Sequence, residues 1–401
     1  MKGKWVIAAL VLLAFSQAAC AQLKLFPSKG KQEVLDTNRI AAADSLAAPP
    51  APDSLATAPV FTPPETVKVQ LRLPLDENIE RKSAYMNFYE GFLLGVRQAA
   101  AEGIRVDLCA TECTDTSQHE IENFDLVVDA APAQELLREL QKRGQDAWTV
   151  VPLELETENL AEFCQVALVP GYWQARTREL VRWIREDWQK GDKLFVLSPG
   201  NDVKTEFLKT SLTAAGLEFS LLGTDYPGRD YHNVSGTARF ALVAEDPGYI
   251  ASAVNFLSGP VKAKKAETAF YCTSKVRSYA RRFEGDALCN ANTRMVSSYY
   301  VDYSAPQVDA FILDFRRYYG AEPNQFAFHG YDTALYFIRR AALYGAQWAL
   351  GIERNDSPAH GLLTDFCFRR EEKGKGLVNT AFRRISFGAD LSETVESVYA
   401  Q

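Results

Sequence analysis

Apolar and polar residues follow one another from Val67 onwards in a repeated order of strand and then helix. The mostly apolar run 124–129 is typical of a parallel strand buried on both faces. Between such runs, apolar residues recur at helical spacing, as over 83–101, where Gly103 marks the helix end. The repeated order predicts an α/β fold built on doubly wound parallel sheets.

Two sets of these elements follow each other and predict two lobes of similar size. The folded part is longer than an average domain of about 150 residues, which agrees with two lobes. We expect the first lobe over 67–170 and 304–346, and the second over 171–303 and 347–401. We expect a three-stranded hinge between the lobes at 169–171, 300–306 and 344–348. Strand 67–73 alternates apolar residues with Lys68, Gln70 and Arg72, and this polar face either is covered or lines a cleft or partner surface.

The N-terminus predicts export. Lys2 and Lys4 precede an apolar run over 5–15, which is too short to span a bilayer, and small residues follow. The pattern indicates a signal peptide over 1–21, with two readings left open. Either the chain is cut after an A-x-A site, or Cys20 is lipidated in a lipobox-like sequence that has Gln17 at its first position. The mature chain is then soluble or held to the membrane by a lipid alone.

Residues 22–66 are rich in Ala, Pro, Ser and Asp, and we expect them to form a disordered linker. An Asp-Ser-Leu-Ala sequence occurs there twice, around Ser45 and Ser54. The segment is either a plain spacer or also a target for O-glycosylation at these two serines.

Composition changes this picture little. Hydrophobic residues make up 47% and charged residues 24%, as in ordinary globular proteins, and the net charge of −7 argues against a nucleic-acid partner. Common catalytic motifs are absent from the sequence, its four histidines lack metal-ligand spacing, and we expect no enzyme activity, metal or cofactor. Six cysteines follow the signal peptide; Cys272 and Cys289 are the predicted disulfide, and six buried thiols are the alternative.

Three segments together resemble one family. They are Phe88-Tyr89-Glu90-Gly91-Phe92-Leu93-Leu94-Gly95, the Tyr-Val-Asp-Tyr-Ser-Ala-Pro stretch over 300–306, and Phe-Ala-Phe-His-Gly-Tyr-Asp-Thr-Ala-Leu-Tyr-Phe over 326–337. The chain resembles type I periplasmic binding proteins of the branched-chain amino acid receptor kind, notably a subgroup in which a LysM module precedes this body. The resemblance implies a periplasmic or outer-membrane-attached protein of a Gram-negative envelope that binds a ligand between two lobes. A membrane permease or cell-envelope protein is the implied partner.

Ligands of open α/β sheets bind beyond the carboxyl ends of the strands. The candidate cleft residues at those ends are Asp129, Ala130, Ser198, Glu245, Asp246, Thr273 and Tyr300. In the family that the chain resembles, the first lobe holds the ligand carboxylate and an acid of the second lobe holds its ammonium. Here three acids surround one cleft and predict a small polar or amine-bearing ligand. The alternative function is an envelope scaffold or regulator whose cleft is vestigial.

Overall fold

The computed structural model describes residues 61–74, 79–113, 124–143, 148–153, 160–200, 202–224, 234–259, 267–283, 285–355, 357–370 and 372–399. The predicted signal peptide, Cys20, Ser45 and Ser54 lie outside the described residues.

The strands and helices alternate in the predicted order through most of the chain. The strands are β1 Val67–Leu73, β2 Val106–Glu112, β3 Leu126–Asp129, β4 Thr149–Val151, β5 Val166–Leu168, β6 Lys193–Leu197, β7 Phe219–Leu222, β8 Ala238–Leu242, β9 Thr268–Thr273, β10 Thr293–Ser297, β11 Phe368–Arg369, β12 Leu377–Asn379, β13 Ala381–Phe387 and β14 Glu393–Tyr399. The helices are α1 Ile79–Ala101, α2 Ala133–Arg143, α3 Trp173–Glu186, α4 Val203–Ala214, α5 Pro247–Ser258, α6 Lys275–Ser278, α7 Ala287–Asn290, α8 Pro306–Tyr319, α9 Gln325–Tyr344 and α10 Trp348–Asn355.

Two seven-stranded sheets form the two lobes, in the orders β11-β12-β5-β4-β3-β1-β2 and β14-β13-β10-β9-β8-β6-β7. The α/β two-lobed fold predicted from the sequence is therefore confirmed. Both sheets are mixed at one edge, because β11 runs antiparallel to β12, and β13 is antiparallel to both β10 and β14. Each lobe has its own apolar core on the faces of its sheet.

Two of the three segments that carry the family resemblance meet in the first lobe as α1 and α9. Glycines let the helix backbones approach closely: a Cβ on Gly91 would lie 1.8 Å from the Ala327 carbonyl oxygen, and one on Gly330 would lie 2.0 Å from that of Phe88. Any side chain there would push the helices apart. The Phe-Tyr-Glu-Gly and His-Gly-Tyr-Asp sequences thus specify one helix pair.

The chain crosses between the lobes over 169–172, over 298–305 and at Thr380, between β12 and β13. The first two crossings lie where the sequence places them, and the third differs from the prediction. Residues 344–348 stay inside the first lobe, where Trp348 is fully buried in the core, and β11 and β12 join the first sheet. The assignment of 347–379 to the second lobe is therefore wrong, because these residues complete the first sheet beside β5.

Buried polar groups tie the crossings together. Asn379 donates to the Val169 carbonyl at 3.2 Å and to the Asp365 carbonyl at 2.8 Å, which joins the first and third crossings. Arg383 donates to Asp365 at 2.6 Å and to the Tyr300 carbonyl at 2.6 Å, which joins the third and second. These hydrogen bonds hold the three crossings close together and form the hinge.

The polar face of β1 is covered at Gln70 and Arg72, which are both buried, whereas Lys68 is exposed. The folded body also starts earlier than predicted. Phe61 packs edge-on against Tyr344 at 4.8 Å, and Glu65 forms an ion pair with Arg105 at 2.5 Å. Phe61 and Glu65 therefore contact the body, in a stretch where we expected linker.

The predicted disulfide is absent, and Cys272 and Cys289 are both free thiols. Cys272 is fully buried in the second-lobe core, while Cys289 lies at the rim of that core on the short helix α7. Burial raises the pKa of the Cys272 thiol, as expected for an apolar core residue. The alternative of free thiols describes this pair.

Candidate ligand-binding cleft

The candidate cleft lies between the carboxyl ends of the strands of the two sheets. The crossings leave from the carboxyl ends of β5, β10 and β12, so these ends of both sheets face the hinge. This is the edge at which open α/β sheets bind ligands. The structure places the sequence-predicted residues at this edge, but it gives most of them local partners.

Asp129 does not present a free carboxylate to the cleft. Its side chain is completely buried and forms an ion pair with Arg72 at 2.6 Å, while Arg72 also donates to the Cys113 carbonyl at 2.8 Å. Ala130 is buried in the first-lobe core. The prediction that Asp129 adds to a cluster of open acids is wrong, because the basic face of β1 neutralises it.

The second-lobe acids also have partners. Glu245 is half-exposed and forms an ion pair with Lys204 of α4 at 2.5 Å. Asp246 caps α5 by accepting a hydrogen bond from the Tyr249 amide at 2.6 Å. Ser198 closes its own turn by donating to the Gly200 carbonyl at 2.9 Å. These contacts remove the electrostatic reason for expecting an amine-bearing ligand.

Thr273 and Tyr300 lie at the ends of neighbouring strands. Thr273 ends β9 beside Val296 of β10. The Tyr300 amide donates to the Leu363 carbonyl at 3.0 Å, and its ring lies 5.5 Å from the Arg277 guanidinium. Tyr300 therefore lies within the second crossing. Both Thr273 and Tyr300 stay candidates for contact with a ligand.

A group that sequence reasoning missed is centred on Arg176, in the first half of α3. Burial lowers the pKa of the Arg176 guanidinium, and the neighbouring Tyr299 and Glu245 oppose this shift. Burial raises the pKa of Tyr299 to about 12, and Arg176 opposes that shift in turn. Arg176 thus lies close enough to Tyr299, after the end of β10, and to Glu245, after β8, for electrostatic interaction with both. The available signal was an arginine at the head of the apolar stripe Leu180 and Ile184.

His329 of α9 fixes Tyr299 from the first lobe. The two rings pack edge-on with centroids 5.3 Å apart. His329 is buried; its Nε2 lies 2.6 Å from the Pro152 carbonyl and its Nδ1 lies 2.9 Å from the Thr364 hydroxyl. Because a carbonyl only accepts, Nε2 donates to Pro152, and in the neutral ring Nδ1 accepts from the Thr364 hydroxyl. Burial lowers the pKa of His329 to about 4, so this support stays uncharged.

A groove of about 250 Å³ runs between the lobes beside α3. One wall comes from α3 and α4, with Tyr172, Gln174, Arg178 and Phe207, and the other from the first lobe, with Ala161, Glu162, Lys375, Gly376 and Val378. Residues of both lobes therefore line one polar and aromatic opening.

Metal-binding clusters and membrane-spanning helices are both missing from the described part of the chain. No group of three or more His, Cys, Asp or Glu side chains there is arranged to hold a metal ion. None of the described helices is both long enough and apolar enough to cross a membrane.

No protein-family model matches the chain, and no curated protein matches it. Solved structures do. A candidate branched-chain amino acid ABC transporter from Rhodospirillum rubrum is 14% identical and aligns over 82% of this chain and 100% of its own, with a TM-score of 0.61. An ABC transporter substrate-binding protein from Sphaerobacter thermophilus is 12% identical over 83% and 98%, with a TM-score of 0.52.

An amino acid ABC transporter substrate-binding protein from Pseudomonas fluorescens is 13% identical over 85% of this chain and 97% of its own, with a TM-score of 0.51. At these identities the similarity shows the fold. The chain has the two-lobed fold of type I periplasmic binding proteins, and the resemblance predicted from the sequence is confirmed at that level.

Proposed function

We propose that this protein is an extracytoplasmic solute-binding protein that captures a small polar ligand between its lobes by closure about the hinge. The observation that carries the proposal is the hinge: two sheets with separate cores are joined through three short crossings at the carboxyl ends of their strands. Closure about such crossings needs changes in a few backbone angles and leaves both cores intact.

The polar groups at this edge support the proposal. The second lobe contributes Arg176 and Glu245, and the second crossing contributes Tyr299. From the first lobe, His329 packs against the Tyr299 ring. A site that draws on both lobes gains contacts when the lobes close, so a ligand favours the closed state. The predicted signal peptide supports an extracytoplasmic location, and a membrane permease is the partner that this function implies.

A thermal-shift screen tests the function. The purified protein is mixed with pools of amino acids, short peptides, muropeptides and aliphatic dicarboxylates. We expect one pool to raise the unfolding midpoint, since a ligand at 100 times its dissociation constant adds about 2.7 kcal/mol. A protein that none of these pools stabilises would contradict the proposal.

The variant Tyr299→Phe locates the binding. It keeps the ring against His329 and removes the hydroxyl, so we expect a smaller midpoint shift with the active pool. Tyr303→Phe is the matched control, because Tyr303 is 66% exposed just beyond the same strand. An equal loss in both variants would place the ligand elsewhere.

A further inference from the structure

Arg176 and Ser298 lie on the same side of the second sheet, at its carboxyl edge. Leu180 and Ile184 follow Arg176 at intervals of four residues, and both are buried in the core between α3 and the sheet. Residues spaced by four share one helix face, so Arg176 heads the stripe that packs on the sheet. Val296 belongs to that core, and Ser298, two residues on, continues its side of the strand.

Both side chains have a buried polar atom without a partner. Within the described residues, Arg176 Nε and Ser298 Oγ accept and donate no hydrogen bond and are closed to solvent. Ser298 is 7% exposed. Buried polar groups in native proteins are nearly always paired, because each unmade hydrogen bond is costly. Two such donors at one strand end indicate a missing acceptor.

Nearby acids do not fill this role. Glu245 lies close enough to influence Arg176, but its carboxylate is held by Lys204 at 2.5 Å. Asp129 is buried against Arg72 in the first lobe. The cleft therefore offers a cation from the second lobe, while the acid of the first lobe is already neutralised.

We propose that the ligand carries a carboxylate group that is bound by Arg176 and Ser298 of the second lobe. This inference rests on the proposed solute-binding function and adds the ligand's chemistry. A guanidinium matches a carboxylate in shape and charge, and a hydroxyl adds a third donor. The arrangement reverses the polarity that the family resemblance implies, in which the first lobe holds the carboxylate. A free amino acid, a peptide C-terminus and a dicarboxylate all supply this group.

Matched probes test the charge requirement. Thermal shift and calorimetry compare L-leucine with L-leucinamide, Ala-Ala with Ala-Ala amide, and succinate with succinamide, all at the same ionic strength. We expect one acid to bind at least tenfold more tightly than its amide, and the pair that responds identifies the source of the carboxylate. An amide that binds as well as its acid would overturn the inference.

Variants then test the residues with the acid that binds. We expect Arg176→Gln to weaken it at least tenfold, Arg176→Lys to retain part of the affinity, and Ser298→Ala to lose less than Arg176→Gln. Arg185→Gln is the control, since Arg185 is an exposed arginine on the same helix. Far-UV circular dichroism shows whether each variant folds. If Arg176→Gln does not fold, the comparison of acid with amide on the unaltered protein still tests the inference.

The outcomes separate this inference from the proposed function. A neutral or cationic solute that binds and closes the lobes would leave the solute-binding function intact and overturn the carboxylate. Unchanged affinity in Arg176→Gln would do the same. If the protein binds neither these probes nor any pool of the thermal-shift screen, the function and the inference both fail.

Discussion

The charge that a side chain near the hinge presents to the cleft depends more on its partner than on its residue type. Asp129, Glu245 and Asp246 were predicted to form one acidic cleft. The structure gives them an arginine, a lysine and a helix N-terminus, respectively. A sequence shows that acids follow strand ends, but the opposing cation comes from a different element. The charge of the cleft could therefore not be predicted from the residues at its edge.

Burial shifts the pKa values of two groups on α9 in opposite directions. Asp332 accepts hydrogen bonds from the amides of Leu362, Leu363 and Thr364 at 2.7–2.9 Å. Burial nevertheless raises the pKa of Asp332 to about 7, against the opposing effect of these bonds. Burial lowers the pKa of His329 to about 4 from 6.5. Between pH 7 and 5 the folded protein thus holds more protons at Asp332, and fewer at His329, than the unfolded chain.

The variants His329→Gln and Asp332→Asn should reveal these opposing effects. Acidification from pH 7 to 5 lowers the free energy of unfolding through His329 and raises it through Asp332. Each change is about 2 kcal/mol, because one pKa unit corresponds to about 1.36 kcal/mol. Relative to the unaltered protein, His329→Gln should therefore gain stability on acidification and Asp332→Asn should lose it. Urea unfolding at both pH values measures this, and shifts of the same sign in the two variants would contradict the account.

The paired helices α1 and α9 are the element that the sequence specifies best. Both motif segments contribute a glycine whose Cβ position is filled by the other helix. This close packing explains why a few residues far apart in the sequence predict one fold. It also makes the helix pair sensitive to a single methyl group.

Gly330→Ala should destabilise the protein by about 1–3 kcal/mol or more, the range typical of an overpacked core. Its new Cβ would lie 2.0 Å from the Phe88 carbonyl oxygen. Gly285→Ala is the matched control, because no neighbouring atom lies within 4 Å of a Cβ there. Urea unfolding of both variants measures the difference. Equal stability of the two would mean that the helices are not packed at this distance.

The C-terminal strands show where sequence patterns fail. Strand β13 is buried although it contains Arg383 and Arg384, because Asp365 and Glu179 form ion pairs with them at 2.5–2.6 Å. Because the two adjacent arginines interrupt its apolar residues, the sequence pattern does not predict a buried strand here. Strand β12 has three residues, too few to show a period. The long helices and apolar parallel strands were predictable, whereas these edge strands and the third crossing depend on distant partners.

At the scale of the whole molecule, a hinge of three hydrogen-bonded crossings joins two lobes that have separate apolar cores. Asn379 and Arg383 hold the three crossings together, and a rotation of the lobes about the crossings would leave these hydrogen bonds in place. The groove beside α3 has walls from both lobes, and its width therefore changes with that rotation. This rotation is the motion that the proposed capture of a solute requires.

Small-angle X-ray scattering tests that claim most directly. Profiles of the purified protein are recorded alone and with each solute pool of the thermal-shift screen. We predict that the pool that raises the unfolding midpoint also lowers the radius of gyration, because the ligand draws the lobes together, while the other pools leave it unchanged. A stabilising solute that leaves the radius of gyration unchanged, or a complete set of pools without effect on the profile, would contradict capture between the lobes.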